Sequence, residues 1–296
     1  MMMDNKKLYV VTGVSGRTGA SAANTLLNAG ERVRVVVRDE EKGNAWSDRG
    51  AEISIADFND TEAIFNALSD ADGAYIVSPP QYSLDNLFEQ ADTIALSIAN
   101  AAKKAQIPKL VVLSSIGAEQ LSGTGWIGMN HSLEQHLIQT GLPVTFLRAA
   151  YFMENWAPLA KLATTQGELP SFLNPLNKKF PMIATEDIGR LAAEALCETW
   201  DGIRIIELEG PAPYSPNDVG EYLTHSYGKA IQPILIPESH WFKSMSGLGF
   251  SSPAITGFIQ MTQGLNSEHV AFNKNSNIER RQGSITLDTV IKSMNL

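Results

Sequence analysis

The chain has 296 residues, enough to bury a full core, and its 44% hydrophobic and 19% charged residues are the balance of an ordinary folded protein. A net charge of −9 works against a nucleic-acid surface, which depends on Lys and Arg neutralising phosphates, so no direct nucleic-acid partner is expected. The single cysteine excludes an internal disulfide, five scattered histidines show no i, i+4 metal pair, and no run of about eighteen uncharged apolar residues offers a membrane span. No metal is predicted, and the start MMMDNKK has no apolar leader, which predicts a cytoplasmic protein.

The first apolar run, 8–11, suits a strand buried on both faces. It breaks into Gly13, Gly16 and Gly19, and the apolar pattern that follows reads as a helix ended by Gly30. In such a turn one glycine supplies unusual backbone angles, one lets the main chain approach a pyrophosphate, and one lets helix and strand pack closely. The helix start then offers free N–H groups and a partial positive charge to phosphates. Roughly twenty residues past Gly19 a second strand, 33–37, ends in Arg38, which completes the strand, turn, helix and strand of a dinucleotide site. An arginine at that tip suits the 2′-phosphate of NADP, whereas an acidic residue holds the 2′-hydroxyl of NAD. Arg38 comes first and Asp39 second, so NADP(H) is preferred and NAD(H) stays open, with Arg17 a second candidate for the anion.

A short helix over 40–48 leads to a third strand, 52–56, and Asn59 or Asp60 could cap a helix over 61–68. Asp57 and Phe58 fall at a strand's carboxyl end, where ligands collect in open α/β sheets. The fourth strand, 74–77, runs into Ser78, Pro79 and Pro80, which must turn the backbone away. A helix over 84–104, a strand over 109–113 ending in Ser114 and Ser115, a helix over 126–140 and a strand over 144–147 continue the alternation. Short links and right-handed crossovers then predict an α/β, doubly wound parallel sheet. Beyond Trp156 the rhythm changes: a helix over 155–165, a loop over 167–181, a well-capped helix over 185–199 that buries Cys197, and a strand over 204–208. Past Pro211, Ser215 caps a helix with Pro216 at its first position, a short strand spans 232–236, and further helices fill the rest. Residues 1–155 with 185–210 are expected to form the nucleotide core, and 156–184 with 211–296 a smaller lobe walling a substrate cleft.

Four blocks together resemble the NmrA-like branch of the atypical short-chain dehydrogenase/reductase superfamily, over about residues 7–240: TGVSGRTG with VRVVVRD, KLVVLSSIGAE, LRAAYFMENW, and DIGRLAAEAL followed by ELEGPAPYSPNDVGEYL. The resemblance implies an NAD(P)-binding Rossmann fold with a small C-terminal lobe. It implies one of two roles: an NADPH-dependent reductase of a small quinone-like or conjugated acceptor, or a non-catalytic NADP(H)-sensing regulator acting through a protein partner or as a homodimer. Carried over position by position, it places Gly13, Ser15, Gly16, Arg17, Thr18, Gly19 and Arg38 at the phosphates, Asp57 and Phe58 at the adenine, and Ser78 and Pro79 at the ribose. Ala150, Tyr151 and Phe152 would flank the nicotinamide, with Tyr151 and Asn155 facing the acceptor.

The superfamily's Tyr-x-x-x-Lys pair, in which lysine lowers the tyrosine pKa for proton donation, is absent: no tyrosine has lysine at i+4. Aligning Glu134 with the family's helix glutamate puts Trp126 in the tyrosine slot and Asn130 in the lysine slot. A quinone accepts hydride first and a proton afterwards, so hydride transfer survives the loss. Asn130 is then a candidate for the nicotinamide ribose and His131 for a proton source, although His131 lies about 100° round the helix and also reads as a surface residue paired with Glu134 or Gln135. Ser115 either polarises a carbonyl or only ends its strand.

Overall fold

The computed structural model describes residues 6–274 and 278–294; the start, residues 1–5, on which the expectation of no leader rests, lies outside them. β1 (Leu8–Val11), α1 (Arg17–Asn28), β2 (Arg32–Val37), α2 (Glu41–Ser47), β3 (Glu52–Ile55) and α3 (Thr61–Leu68) alternate as expected. So do β4 (Gly73–Ile76), α4 (Leu87–Ala105), β5 (Leu110–Ser115), α5 (Ile127–Ile138) and β6 (Val144–Ala149). β7 (Tyr151–Phe152) and a 3-10 turn, Met153–Trp156, then lead to α6 (Ala157–Gln166), β8 (Glu168–Ser171), β9 (Phe180–Ile183), α7 (Thr185–Cys197) and β10 (Ile203–Glu209). The remainder is β11 (Pro213–Tyr214), α8 (Pro216–Tyr227), β12 (Gln232–Leu235), α9 (Glu238–Met245), α10 (Ser252–Asn266), β13 (Glu279–Gln282) and α11 (Leu287–Ser293).

Eight strands form one parallel sheet in the order β13-β10-β6-β5-β4-β1-β2-β3. Strand side chains alternate between faces. Tyr9 and Val11 of β1 therefore join α1 and α7 in one core, while Leu8 and Val10 join α3, α4 and α5 in another. Helices covering both faces explain why inner strands such as β1, LYVV, read as unbroken apolar runs. The chain winds outward from β1 to β3 and then restarts beside β1 with β4, which opens a crevice at the carboxyl ends of β1 and β4. No helix among the described residues is long and apolar enough to cross a membrane.

Caps follow local chemistry in some places and distant chemistry in others. Asp60 caps α3 by accepting from Ala63 N at 3.0 Å, and Ser215 with Asp218 makes a reciprocal capping box on α8. The α7 helix, expected to be well capped, has Ala184 at that position and no cap of its own. Glu154, from the 3-10 turn, supplies the acceptor instead, at 2.9 Å from Thr185 N and 2.6 Å from its hydroxyl.

Four expectations are corrected. The stretch 167–181, expected as loop, holds β8 and the start of β9, strands of four residues each that Pro170 and Pro181 interrupt. The α4 helix begins at Leu87, later than expected, because the chain beyond Pro79 and Pro80 stays irregular through a further turn. β13 is a strand of the main sheet drawn from residues assigned to the smaller lobe; its sequence, ERRQ, carries no apolar alternation because it is an edge strand. Cys197 is exposed, since it falls on the last turn of α7 where the helix leaves the sheet. A third cluster gathers Trp156, Ala160, Leu169, Val219, Leu223 and Ile291 with Ile116, Ala118 and Ile127 from the β5–α5 region.

Candidate functional site

A cleft of about 1210 Å³ runs along the carboxyl edge of the sheet, from the turn after β1 to an aromatic end lined by Tyr82, Trp126, Phe250 and Phe258. Its first end is the glycine turn. Gly13 has φ +68°, and a side chain there would lie 2.9 Å from Val77 Cβ, so both conformation and space require glycine. Thr12 fixes that approach, its hydroxyl accepting from Val77 N at 2.8 Å. Gly19 serves packing: a Cβ would meet the carbonyl oxygen of Gly13 at 2.4 Å. Gly16 is the helix N-cap and offers no side chain to its first N–H groups, which have no partner inside the helix.

Thr18 and Gly189 close the same corner, because α7 crosses α1 where Gly189 allows the backbone of Thr18 within reach; a Cβ there would stand 2.4 Å from Thr18 O. Ser15, Gly16, Arg17 and Thr18 all line the cleft, and Arg38 joins them from the tip of β2. Neither guanidinium makes a hydrogen bond or ion pair with the described residues. Asp39 is spent: Lys42 N and Nζ lie 3.0 and 2.9 Å from its two oxygens, and the Lys42 contacts hold its carboxyl below the usual range. Unpaired arginines, an engaged carboxylate and an uncapped helix start fit a dinucleotide with a phosphate on its adenosine ribose. Arg38→Ala is accordingly expected to weaken NADPH binding roughly ten- to a hundredfold while leaving NADH within about twofold, read by titrating each nucleotide calorimetrically. Equal losses would remove Arg38 from the 2′-phosphate.

Beyond the phosphate end the lining continues with Asp57 and Phe58, then Ser78 and Pro79, then Ala150, Tyr151 and Phe152. Asp57 accepts from Asn59 N at 2.9 Å, and Phe58 packs on the α3–α4 core. The N–H of Ala150 is already given to Leu208 O at 2.9 Å, which leaves that residue its carbonyl for a ligand. Burial pushes the Tyr151 phenol up, offset in part by the nearby Asn155 carboxamide, and both residues line the cleft.

Ser115 and Asn130 also line it, while His131 does not. The Ser115 hydroxyl donates to Ile116 O at 3.0 Å, and the Asn130 carboxamide makes no hydrogen bond with the described residues. The His131 ring lies against the carbonyl of Ala118, Nδ1 to oxygen 2.7 Å, and pairs with neither Glu134 nor Gln135. Helix geometry turns it off the cleft, so its proton-source role is dropped. Glu134 is instead buried, its carboxylate bridging Ser114 Oγ at 2.6 Å and Arg148 Nη2 at 2.6 Å, with Arg148 reaching Glu119 at 2.8 Å. Trp126, in the aligned tyrosine slot, gives its N–H to Ala254 O at 2.8 Å and has no proton to offer a ligand.

The far wall comes from residues no motif announces: Tyr82, Phe250 and Phe258, with Met245 and Met261. Among the described residues no group of three or more His, Cys, Asp or Glu could hold a metal ion.

The model of the NmrA-like family matches residues 5–293. An NAD(P)H azoreductase of Xenophilus azovorans is 25% identical over 246 residues, 82% of each chain. The solved structure of an NADPH-dependent quinone oxidoreductase from Escherichia coli complexed with NADPH superposes with a TM-score of 0.79 at 19% identity, covering 96% of this chain and 98% of that one. A Citrobacter sp. triphenylmethane reductase complexed with NADP(H) gives 0.76 at 20% identity, with 98% and 96% covered.

Proposed function

This chain belongs to the NmrA-like family, and from that premise we propose that it is an NADPH-dependent oxidoreductase passing hydride to a small quinone-like or conjugated acceptor. The observation that carries the reading is the continuity of the cleft: one cavity joins a phosphate cradle with two unpaired guanidiniums to an aromatic chamber, across the strip of Ala150, Tyr151 and Phe152. The relatives named above for quinone, azo and triphenylmethane chemistry support it.

Gly13, Ser15, Gly16, Arg17 and Thr18 would hold the pyrophosphate, with Gly19 shaping the turn and Arg38 on the 2′-phosphate. Asp57 and Phe58 would take the adenine, and Ser78 and Pro79 the ribose. NADPH, when bound, supplies the hydride. The chain's own work is positioning and the exclusion of water. Asn130, an unspent amide, would orient the nicotinamide half; Ser115, its hydroxyl turned to Ile116 O, would shift to donate to an acceptor oxygen, while Tyr151 and Asn155 bound the acceptor's side. Reduction of a quinone takes one hydride and one proton, and the proton comes from water once the oxygen carries negative charge, so no Tyr-Lys pair is required. The reading keeps the cytoplasmic setting expected from the sequence.

Mixing the purified protein with NADPH and a panel of quinones tests this. Nicotinamide absorbance is expected to fall over many turnovers per protein molecule. Tight NADPH binding with no oxidation by any acceptor would refute the activity.

A further inference from the structure

The far end of the cleft is built from rings. Tyr82 and Trp126 stack with centroids 4.0 Å apart and planes at 29°. Phe250 stands edge-on to Tyr82 at 5.7 Å, and Phe258 lies 5.4 Å from Trp126. These rings come from three separate parts of the chain: the loop after β4, the turn before α5, and the stretch entering and forming α10.

Hydrogen bonds lock the three parts together. Trp126 Nε1 donates to Ala254 O at 2.8 Å; Ser251 N donates to Tyr82 O at 2.9 Å and its hydroxyl to Leu84 O at 2.8 Å. Two glycines make room for the contact. A Cβ on Gly257 would lie 2.7 Å from Trp126 Cδ1, and one on Gly125 would collide with Gly257 O. Side chains held this way form a standing wall and do not collapse into the cavity they line.

Charge is absent from this end. The charged side chains lining the cleft are Arg17, Arg38, Asp57 and Glu154. Three of them belong to the nucleotide end, and Glu154 has its carboxylate on Thr185 at the start of α7. Among the described residues no Lys or Arg lines the aromatic end, so an anionic group there would lose its water without gaining a partner. Gln81 and Tyr82 bring polar groups to this end. The Tyr82 hydroxyl makes no hydrogen bond with the described residues, and burial pushes its phenol up, which keeps the proton on at neutral pH.

Resting on the reductase reading, we propose that the Tyr82–Trp126 pair is a stacking platform for planar fused-ring acceptors without anionic substituents, and that the Tyr82 hydroxyl donates a hydrogen bond to an acceptor oxygen. Flat rings bury more apolar area on such a platform than a single ring does, and offset stacking adds to it.

Protein loaded with NADP⁺ has no hydride to give, so binding can be measured apart from turnover. Calorimetric titration is expected to show phenanthrenequinone binding roughly tenfold tighter than the single-ring duroquinone. Anthraquinone monosulfonate is expected to bind at least about thirtyfold more weakly than anthraquinone. Trp126→Leu should erase the preference for fused rings. Tyr82→Phe keeps the ring, protecting the test against misfolding of the tryptophan variant; it should weaken phenanthrenequinone roughly two- to tenfold and leave the oxygen-free hydrocarbon phenanthrene unchanged. Equal affinity for the sulfonated and plain anthraquinones, no gain from ring fusion, or the same loss for phenanthrene as for its quinone would each overturn the proposal. The predicted ranking without NADPH oxidation would instead sink the reductase reading and leave the platform standing.

Discussion

Arg148→Ala is expected to destabilise the fold by about 3–5 kcal/mol, as read by urea or thermal unfolding. Arg148 is 4% exposed and Glu134 2%, and two nitrogens of the guanidinium bond the two oxygens of that carboxylate at 3.0 and 2.6 Å. Truncating the arginine leaves the Glu134 charge buried with one neutral donor, Ser114 Oγ, and opens a cavity between β6 and α5. Glu119, less buried, can turn to water. The loss therefore comes from stranding a charge, and the pair is not a strong net gain over an apolar substitute. Arg148→Met combined with Glu134→Leu should recover most of the stability, to within about 1–2 kcal/mol of the starting protein. A single-variant loss below about 1 kcal/mol would mean that water reaches Glu134. Because Ser114 sits on the cleft beside Ser115, the single variant should also raise KM for the acceptor, whereas the repaired double variant should do so less.

Gly19→Ala is expected to damage the nucleotide site more than any change to a charged ligand. The added methyl would stand 2.4 Å from Gly13 O, 2.5 Å from Gly13 C and 2.6 Å from Thr12 O, all of them backbone. No side chain can rotate away, so the turn itself must shift. Overpacking of this kind costs about 1–3 kcal/mol of stability. It also displaces the N–H groups at the start of α1, so NADPH affinity should fall by more than the roughly hundredfold upper bound expected for Arg38→Ala. Gly128→Ala is the control: it lies within α5 with nothing within 4 Å of the added methyl, and should leave stability unchanged or raised by up to about 1 kcal/mol. Unaltered NADPH binding in Gly19→Ala would show that the turn does not hold the pyrophosphate.

The two ends of the cleft differ in how plainly the sequence states them. Phosphate recognition needs backbone approach at fixed spacing, so Gly13, Gly16, Gly19 and Arg38 can be read from a single stretch and its neighbour. Inner strands such as β1 and β5 are legible for a related reason, since burial on two faces favours an apolar run, whereas β3, EISI at the sheet edge, shows alternation instead. The aromatic wall has no such grammar: Tyr82, Trp126 and the pair Phe250 and Phe258 lie in three separate stretches, and only Trp126, in the aligned tyrosine slot, is marked by any motif. Residue type misled at His131, whose ring has a suitable proton but is turned by the helix onto Ala118 O. Pairing misled too, because the partner of Glu134 is Arg148 on a strand, not a neighbour on its own helix. β13 stayed hidden because an edge strand of charged residues, ERRQ, has no hydrophobic period to detect.

β13 lies beside β10, so residues 210–278 form one excursion that departs from the sheet at one strand and returns at the adjacent one. For a closed excursion, each doubling of length adds only about 0.6 kcal/mol of closure entropy. Closure of the chain therefore sets little limit on the length of this excursion; the limits on the stretch that carries Phe250 and Phe258 are its hydrogen bonds to Tyr82, Leu84 and Trp126 and the close approach at Gly257. The aromatic end of the cleft is thus carried by chain that enters and leaves the sheet at adjacent strands, apart from the turn after β1 that lines the other end.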